Sequence, residues 1–420
     1  MTDLGIPYLR NPDLTGIIKE KRPEADPRLS RYYVKPLILK RGVNRGERIS
    51  LLMDRIPRTP VALPNEHMLD GERLLLSHNT YYRRISTFCS IYEWADSRNI
   101  SIAERLRSGM GFNSSEIGSL HEHLRYRRRR NQTTKLLVGK TELRARMVCA
   151  RIFATNVMRD VSSALSPLHD ADRLLALDAR ITQNIVLFEQ YTPNKEASPL
   201  KKGLSRADAE RLAKMIAVDS YDNPWKKLTV RERNFVLLTL LLCTGGRRGD
   251  LAKLKVSDVV GGTEPYVRFD AHPDDPLDPR VYEPRLKTQP RDFPITAEVA
   301  HLVVRYIRHG RKQIRNVQDS EYLFLSTLDG APLAQRTINQ IFKPLQHAFP
   351  GLTPHILRHT STEDLKRTGD SLGMKSGELL SLIMYLNGWK TDNLKTYTAR
   401  EREETARRVA TARQEEFYSK

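Results

Sequence analysis

Hydrophobic side chains recur three and four residues apart along several stretches of this chain, which is the spacing of helices with one buried face. In the first half, the pattern predicts helices whose apolar stripes face a common core, and we expect Asn79 or Thr80 to cap the first of them. Helices therefore dominate residues 71–195. The predicted helices span 75–95, 141–165 and 170–190.

The second half of the chain predicts further helices and a few short strands. Ser205 is a good helix cap, and the apolar run at 230–244 predicts a largely buried helix that ends at Gly245. Thr353 followed by Pro354 is a strong signal for the start of another helix. The segments YVRF and RLKTQPRDFPI look like strands. The predicted fold class is therefore mainly α with a small β-sheet (α+β).

The chain carries a strong positive charge. Its 420 residues include 70 lysines and arginines against 50 aspartates and glutamates, which gives a formal net charge of +20 and an isoelectric point near 9.9. Because lysine and arginine contacts to phosphates supply most sequence-independent affinity for DNA, this composition points to a nucleic acid partner. The same charge would also suit a ribosomal or a membrane-surface protein.

Cysteine usage and the lengths of the apolar runs narrow the class of protein. Cys89, Cys149 and Cys243 are far apart and odd in number, which argues against a disulfide framework or a cysteine-based zinc site. No stretch approaches the ~18 apolar residues of a membrane span. We therefore expect a cytoplasmic protein with no membrane partner.

An arginine-rich segment, HEHLRYRRRRNQ, lies between the first two predicted helices. So much like charge favours a nearby anion over a plain solvated loop. His121 and His123 are two residues apart and would point in different directions on a helix, so we expect no metal site there. The predicted phosphate-contacting residues are Arg125, Arg127, Arg128, Arg129 and Arg130 in this segment, and Arg144 and Arg151 on the polar face of the next helix.

Changes in composition predict the domain boundaries. The first 70 residues are rich in proline and charge, and they form either an arm that becomes ordered on DNA or a leader packed on the next domain. The segment YTPNKEASPLKKG has the composition of a linker. The predicted parts are an extension at 1–70, a helical domain at 71–195, a second domain at 198–400 and a helical tail at 401–420.

The last third of the chain combines several cations with a tyrosine. A phenol with a pKa of about 10 attacks a phosphodiester poorly at neutral pH, so an enzyme that uses one must stabilise the phosphorane charge and protonate the leaving alkoxide. Two arginines, a lysine and a histidine supply that chemistry with no metal or other cofactor. They are Arg247 in TGGRRGDL, Lys287 in RLKTQPRDFPI, and His355 and Arg358 in HILRHT, with Tyr397 in GWKTDNLKTYT.

The order Arg, Lys, His-x-x-Arg-His and Tyr resembles the catalytic domain of the tyrosine recombinase (phage integrase) family. TGGRRGDL is similar to the family's TGxRxxEL box, with Asp250 in the acidic position, where we expect it to orient Arg247 or cap a helix. HILRHT is similar to the HxLRHT box. The resemblance implies a site-specific recombinase in which a helical core-binding domain and the catalytic domain close on double-stranded DNA as a clamp. It also implies a homo-oligomer on DNA, a tetrameric synapse that can include other recombinase subunits.

By this resemblance, each motif residue has a role. Tyr397 attacks the scissile phosphate and forms a 3′-phosphotyrosyl intermediate, while Arg247 and Arg358 stabilise the developing charge. Lys287 protonates the leaving 5′ oxygen. The residues that support the phosphate by hydrogen bonding are His355 and Trp389.

Trp389 departs from the family pattern. The family usually has LGH before the tyrosine, whereas this chain has NGW, and the spacing from Trp389 to Tyr397 is one residue shorter than usual. An indole N–H can still donate a hydrogen bond to a phosphate oxygen. We further expect Asp392 to cap the helix that carries the tyrosine, and His359 to be structural.

Three of the catalytic positions have rivals. Arg248 could reach an anion as well as Arg247, although the register of the box favours Arg247. The proline-rich, acidic insertion AHPDDPLDPRVYEP loosens the alignment around Lys287, so Lys253 and Lys255 remain alternatives. The rival tyrosines are Tyr385, which we expect to be a core residue on an apolar helix, and Tyr418 in the tail.

Two other function classes use the same fold. A type IB topoisomerase would relax DNA as a monomer by rejoining the same strand, and a catalytically inactive DNA-binding regulator would keep the fold without the reaction. The motif sequences favour recombination, as does the tail, because a C-terminal helix docks on a neighbouring subunit in similar recombinases. Integration, excision, resolution and transposition of a mobile element would all use this chemistry.

Overall fold

The described part of the chain is mainly helical, with two small antiparallel sheets, and the predicted fold class is confirmed. The computed structural model describes residues 30–73, 75–127, 136–196, 201–270, 275–398, 406–407 and 409–411. The chain forms two compact units that divide between residues 197 and 198, and each has its own apolar core. Within those ranges, no helix is both long and apolar enough to cross a membrane.

In the first unit, an antiparallel hairpin packs on a bundle of helices. Tyr32 and Leu52 of the hairpin lie in the same apolar cluster as Phe88 and Phe153 of the helices. From residue 30 onward, the segment interpreted as an arm or a leader is therefore packed on the helical unit. The elements are β1 (Tyr32–Ile38), β2 (Arg48–Asp54), α1 (Ala62–His67), α2 (His78–Asp96), α3 (Ile102–Arg107), α4 (Ser114–Leu124), α5 (Lys140–Ser163) and α6 (Ala171–Tyr191).

Helix α2 starts differently from the prediction. Ser77 is its N-cap, in an extended conformation, so Asn79 and Thr80 lie inside the first turn and the predicted cap is wrong. The Ser77 carbonyl accepts the N–H groups of Thr80 and Tyr81, and its hydroxyl lies 3.0 Å from that of Thr80. These local bonds place the helix start at His78.

The two long helices of this unit agree with the hydrophobic pattern. Helix α5 buries Leu143, Met147 and Phe153, which repeat three to six residues apart along one face of the helix. Helix α6 packs along α5 and contributes Ile181 and Phe188 to the same cluster. A period of three and four residues is therefore sufficient to identify both helices.

The second unit surrounds the buried helix α8 with other helices and a three-stranded sheet of order β3-β4-β5. In the sheet, Val267 pairs with Phe293 and Phe269 with Arg291. The elements are α7 (Arg206–Ile216), α8 (Leu228–Thr244), α9 (Arg248–Lys253), β3 (Val259–Val260), β4 (Tyr266–Phe269), β5 (Arg291–Pro294), α10 (Ala297–Arg305), α11 (Gln335–Phe342), α12 (Pro354–Ser371), α13 (Ser376–Asn387) and α14 (Leu394–Tyr397).

The segment RLKTQPRDFPI is a strand only in its second part. Residues 285–290 do not pair with β4, because the Gln289 N–H donates to the carbonyl of Gly388 instead and Pro290 has no N–H to donate. Lys287 therefore lies in an irregular segment that is bonded to the chain after α13.

Tyr385 does not lie in the core. Its side chain is 58% exposed, so the predicted core position is wrong. Helix α13 buries the face that carries Leu379, Ile383 and Leu386, and Tyr385 lies outside that stripe. In the predicted tail, residues 406–407 and 409–411 are helical, whereas the rival Tyr418 lies outside the described residues.

Candidate active site

Arg247 is placed by the turn between α8 and α9. Gly245 ends α8 in the left-handed conformation, with φ of 57°, and Arg247 is the N-cap residue of α9. The backbone N–H of Arg247 donates to Oδ2 of Asp250 at 3.0 Å. Asp250 therefore caps the helix, as expected, and fixes the backbone from which Arg247 projects.

Arg358 lies on α12, which begins at the predicted Thr353–Pro354 cap. Its side chain is buried, and it donates from Nη1 to the carbonyl of Gly245 at 2.5 Å and from Nη2 to that of Asn387 at 3.3 Å. These bonds tie α12 to the turn before Arg247 and to the end of α13. Within the described residues, Arg358 Nε has no hydrogen-bond partner.

One cavity of about 550 Å³ is lined by several of the predicted catalytic residues. Arg247 and Arg358 line its wall, and Lys287 and His355 reach it from exposed positions. Four of the six predicted catalytic residues therefore meet at one place in the second unit. The cavity is also lined by the basic residues Lys201, Arg248, Arg285 and Lys343 and by the amides Gln335, Asn339 and Gln346.

Tyr397 is buried beside His355 and Arg358, which line this cavity, and 7% of its surface is exposed. Its ring stacks on that of Trp389, with centroids 5.0 Å apart, and lies edge-on to His355 at 5.7 Å. The guanidinium carbon of Arg358 lies 5.3 Å from the centre of the phenol ring. The predicted nucleophile is thus in contact with both His355 and Arg358 of the HILRHT motif. The Asp392 carboxylate accepts the N–H of Leu394 at 2.8 Å, so it caps α14 as expected.

Burial and nearby cations lower the pKa of both histidines of the motif. Partial burial, Lys201, Arg358 and Arg247 together lower the pKa of His355. Burial and the neighbouring His355 lower the pKa of His359 to about 4. The ring of His359 lies 4.6 Å from that of Tyr397 and 4.5 Å from that of His355. A neutral imidazole can accept a proton, which an imidazolium cannot.

The rival lysines are held elsewhere in the unit. Lys253 is buried and its Nζ lies 2.7 Å from Oε1 of Glu283, a residue of the proline-rich insertion. Lys255 pairs with Asp275 and Glu321, at 3.3 and 2.9 Å. Of the three lysines, Lys287 is the one that lines the cavity.

Arg248 is a closer competitor of Arg247. It also lines the cavity, but its Nη1 donates to Oδ1 of Asn339 at 2.9 Å. By contrast, Nη1 of Arg247 is buried and has no partner in the described part of the chain. The need for an external acceptor is therefore greater at Arg247.

The arginines predicted to contact phosphates in the first unit have mixed surroundings. Arg127 is exposed, while Arg125 lies 2.9 Å from Glu122. Arg144 donates to the carbonyl of Pro193 at 2.7 Å, and Arg151 lies 3.4 Å from Glu189. Arg128, Arg129 and Arg130 lie outside the described residues.

One residue near the cavity was missed by the sequence patterns. Arg291 is buried in β5, close to Asp250 and to the chain before Trp389. Arg291 is two residues before Phe293, so the two side chains lie on the same, buried face of the strand. A charged residue on a buried face is the only signal in the sequence that could have revealed it.

A family model covers the part of the chain that holds this site. Residues 204–399 match the family model described as the phage integrase family. The chain is similar to XerH site-specific recombinase bound to difH substrate, with 15% identity over 76% of this chain and 87% of that one and a TM-score of 0.38. XerA recombinase has 18% identity over 82% and 96% of the two chains, with a TM-score of 0.36.

A lambda integrase dimer bound to a COC′ core site has 16% identity over 90% and 96% of the two chains, with a TM-score of 0.36. No curated protein matches the chain. The matched family region contains the whole cavity apart from Lys201, and it contains each predicted catalytic residue from Arg247 to Tyr397. Residues 204–399 therefore form a domain of the phage integrase family of tyrosine recombinases, which are DNA strand-transferring enzymes.

Proposed function

We propose that this site-specific recombinase, of the integrase or transposase type, cuts and rejoins DNA through a 3′-phosphotyrosyl intermediate on Tyr397. The observation that carries the proposal is a set of buried donors that lack a protein acceptor. Among the described residues, Arg247 Nη1, Arg358 Nε and Trp389 Nε1 are buried and have no hydrogen-bond partner. Each such group costs about 1–3 kcal/mol when left unpaired, so the site favours an anion that accepts from all three.

A phosphodiester is the anion that fits this arrangement. The two guanidinium groups offer planar, charged donors for the non-bridging oxygens, and the indole adds a neutral one. Tyr397, in contact with Arg358, lies beside the place where such a phosphate would sit. The net charge of +20 adds a general attraction to DNA.

In the proposed cleavage step, the phenol oxygen of Tyr397 forms a bond to phosphorus as the bond from phosphorus to the 5′ oxygen breaks. Arg247 and Arg358 stabilise the pentacoordinate charge, with hydrogen bonds from Trp389. His355, whose pKa is lowered by partial burial and by nearby cations, accepts the phenol proton. Lys287 gives a proton to the leaving 5′ oxygen, so charge and atoms balance.

Rejoining is the same step in reverse. The 5′ hydroxyl of a partner strand attacks the phosphotyrosyl bond, which conserves the energy of the original phosphodiester, so no nucleotide is consumed. Each subunit offers one Tyr397, and exchange between two duplexes cuts four strands. We therefore propose a homo-oligomer that reaches a tetramer on double-stranded DNA, with or without other recombinase subunits.

Covalent trapping tests this proposal. A nicked suicide duplex that carries the junction sequence of the encoding element loses its short 5′ fragment on cleavage, which leaves the enzyme attached to DNA. We expect a covalent adduct with the wild type and with Tyr385→Phe, and none with Tyr397→Phe. Binding of this DNA without any adduct would contradict the proposed reaction. Relaxation of a supercoiled circle without exchange between two duplexes would indicate a topoisomerase.

A further inference from the structure

Arg291 contacts three separate segments of the second unit from one buried position. Its Nε donates to the carbonyl of Leu386 at 2.7 Å, and its Nη1 donates to the hydroxyl of Thr288 at 2.9 Å. Its Nη2 lies 3.8 Å from Oδ2 of Asp250. The side chain is 1% exposed, and its guanidinium covers the ring of Phe269 at 4.4 Å. The guanidinium group is therefore almost completely shielded from solvent.

Two of these contacts reach segments that carry a predicted catalytic cation. Thr288 follows Lys287 directly in the chain. Asp250 accepts the backbone N–H of Arg247, so the carboxylate beside Arg291 is the one that fixes that residue. Arg291 thus links the segment that carries Lys287 to the carboxylate that fixes the backbone of Arg247.

The third contact reaches the chain before the nucleophile. Leu386 precedes Asn387, whose carbonyl accepts from Arg358, and Gly388, whose carbonyl accepts the N–H of Gln289. Trp389 follows at once and stacks on Tyr397. Arg291 and the bond from Gln289 to Gly388 therefore join the Lys287 segment to the end of α13 at two neighbouring points.

Burial of the charged Arg291 side chain at this position carries a desolvation penalty. Burial lowers the pKa of Arg291 to about 10, and burial also raises the pKa of Asp250, although the two groups attract each other. An apolar residue of similar volume would avoid both costs, since isolated buried ion pairs seldom add net stability. A planar group with donors in several directions can bridge separate segments in a way that an apolar residue cannot.

We propose that Arg291 is a positioning residue that holds the Lys287 segment, the Asp250–Arg247 turn and the chain before Trp389 in the one arrangement that allows cleavage. The proposal rests on the proposed function, because cleavage is the reaction that needs this arrangement. Arg291 does not line the cavity and is not expected to touch DNA.

A matched pair of buried arginines tests the proposal. Arg311 lies in the same unit, is buried, and donates to the carbonyls of Tyr322 and Ser320, but it does not line the cavity. We would compare Arg291→Gln and Arg291→Lys with Arg311→Gln and Arg311→Lys. The measurement is the single-turnover rate of adduct formation at saturating suicide DNA, at a temperature where circular dichroism shows each variant folded.

Both Arg291 variants should cleave about 100-fold more slowly than the wild type, because misplacement of catalytic groups by about 1 Å costs a factor of this order. Their DNA dissociation constants should stay within about 3-fold of the wild type, and the Arg311 variants should stay within about 3-fold in rate. A 5′-bridging phosphorothiolate, whose thiolate leaves without a proton, should restore about 10-fold to Arg291→Gln by removing the need for Lys287.

Equal rate losses in the Arg291 and Arg311 variants would overturn the proposal, as would a loss confined to DNA affinity. If the wild type itself forms no adduct, the proposed function fails, and hydrogen exchange then decides the positioning role alone. Arg291→Gln should speed exchange of the Gln289 amide, which is bonded to Gly388, about 10-fold or more, while the Leu323 amide near Arg311 is unchanged. An unchanged rate at Gln289 would show that Arg291 does not hold this segment. A variant that does not fold is replaced by its Lys counterpart in both measurements.

Discussion

The indole of Trp389 stacks on the phenol ring of Tyr397, with centroids 5.0 Å apart and ring planes 28° from parallel. The spacing between the two residues is one residue shorter than usual in the family, yet the short helix α14 places the tyrosine ring against the tryptophan ring. Trp389 therefore has two functions in the proposed site. Its ring holds the nucleophile, and its buried Nε1–H, unpaired within the described residues, is available to a phosphate oxygen.

Substitution of Trp389 separates these two functions. Trp389→Phe keeps an aromatic surface but removes the N–H, so we expect adduct formation to slow by about 100-fold, because one hydrogen bond to the developing charge is lost. Trp389→Ala should be slower still and less stable by about 3 kcal/mol, because it also removes the packing of Tyr397. Trp225→Phe, in the larger apolar core of the same unit and away from the cavity, is the control. Equal rates for Trp389→Phe and the wild type would exclude the indole as a donor.

Alanine at the two neighbouring arginines should have unequal effects. Arg247→Ala removes a donor with no protein partner and should slow adduct formation by about 100- to 1000-fold. Arg248 is already bonded to Asn339, so Arg248→Ala should lower DNA affinity and change the cleavage rate by less than about 5-fold. Single-turnover rates at saturating DNA give both values. The reverse order would assign the catalytic position to Arg248.

The depressed pKa of His359 predicts a loss of stability in mild acid. The unfolded histidine has a pKa of about 6.5, and burial lowers the folded value to about 4. Between these values the unfolded chain binds a proton that the folded chain does not, so the free energy of unfolding falls as the pH drops through this window. Urea denaturation at pH 7 and pH 5 should show a drop that is about 1 kcal/mol larger for the wild type than for His359→Gln. Identical drops would show that His359 does not contribute.

The buried pair of Lys253 and Glu283 predicts a structural role for the rival lysine. Lys253→Met leaves a buried carboxylate and should lower the free energy of unfolding by about 3–5 kcal/mol, while the double variant with Glu283→Leu should recover most of that loss. Lys287→Ala, at an exposed position, should change stability by less than about 0.5 kcal/mol and should abolish most cleavage. Chemical denaturation and the adduct assay distinguish the two lysines. Strong loss of cleavage in the double variant of Lys253 and Glu283, if it is stably folded, would indicate that Lys253 is catalytic.

Local signals in the sequence were enough for most helices. The apolar stripe of α5 and the Thr353–Pro354 start of α12 depend on residues within a few positions of each other, and the structure shows both. Arg247, Lys287, His355 and Arg358 were found through the spacing within their motifs and their resemblance to a family. Whether they act as proposed stays a prediction until the variants are measured.

Features that depend on distant segments could not be predicted. The chain around Lys287 leaves the sheet because Gln289 bonds to Gly388, about 100 residues later in the sequence. Helix α13 is apolar on most sides, so the spacing of its hydrophobic residues does not indicate which side is buried. The sequence therefore places Tyr385 on the wrong side of the helix. Arg291 was missed because its partners, Asp250 and Leu386, come from separate elements.

The most direct test is to identify the residue that becomes linked to DNA. The trapped adduct would be digested with protease and nuclease, and the nucleotide-bearing peptide sequenced by mass spectrometry. We expect the modification on Tyr397, joined to a nucleotide through its 3′ phosphate. Linkage to Tyr385, Tyr418 or any residue other than Tyr397 would contradict the proposed nucleophile, and linkage through a 5′ phosphate would contradict the proposed direction of cleavage.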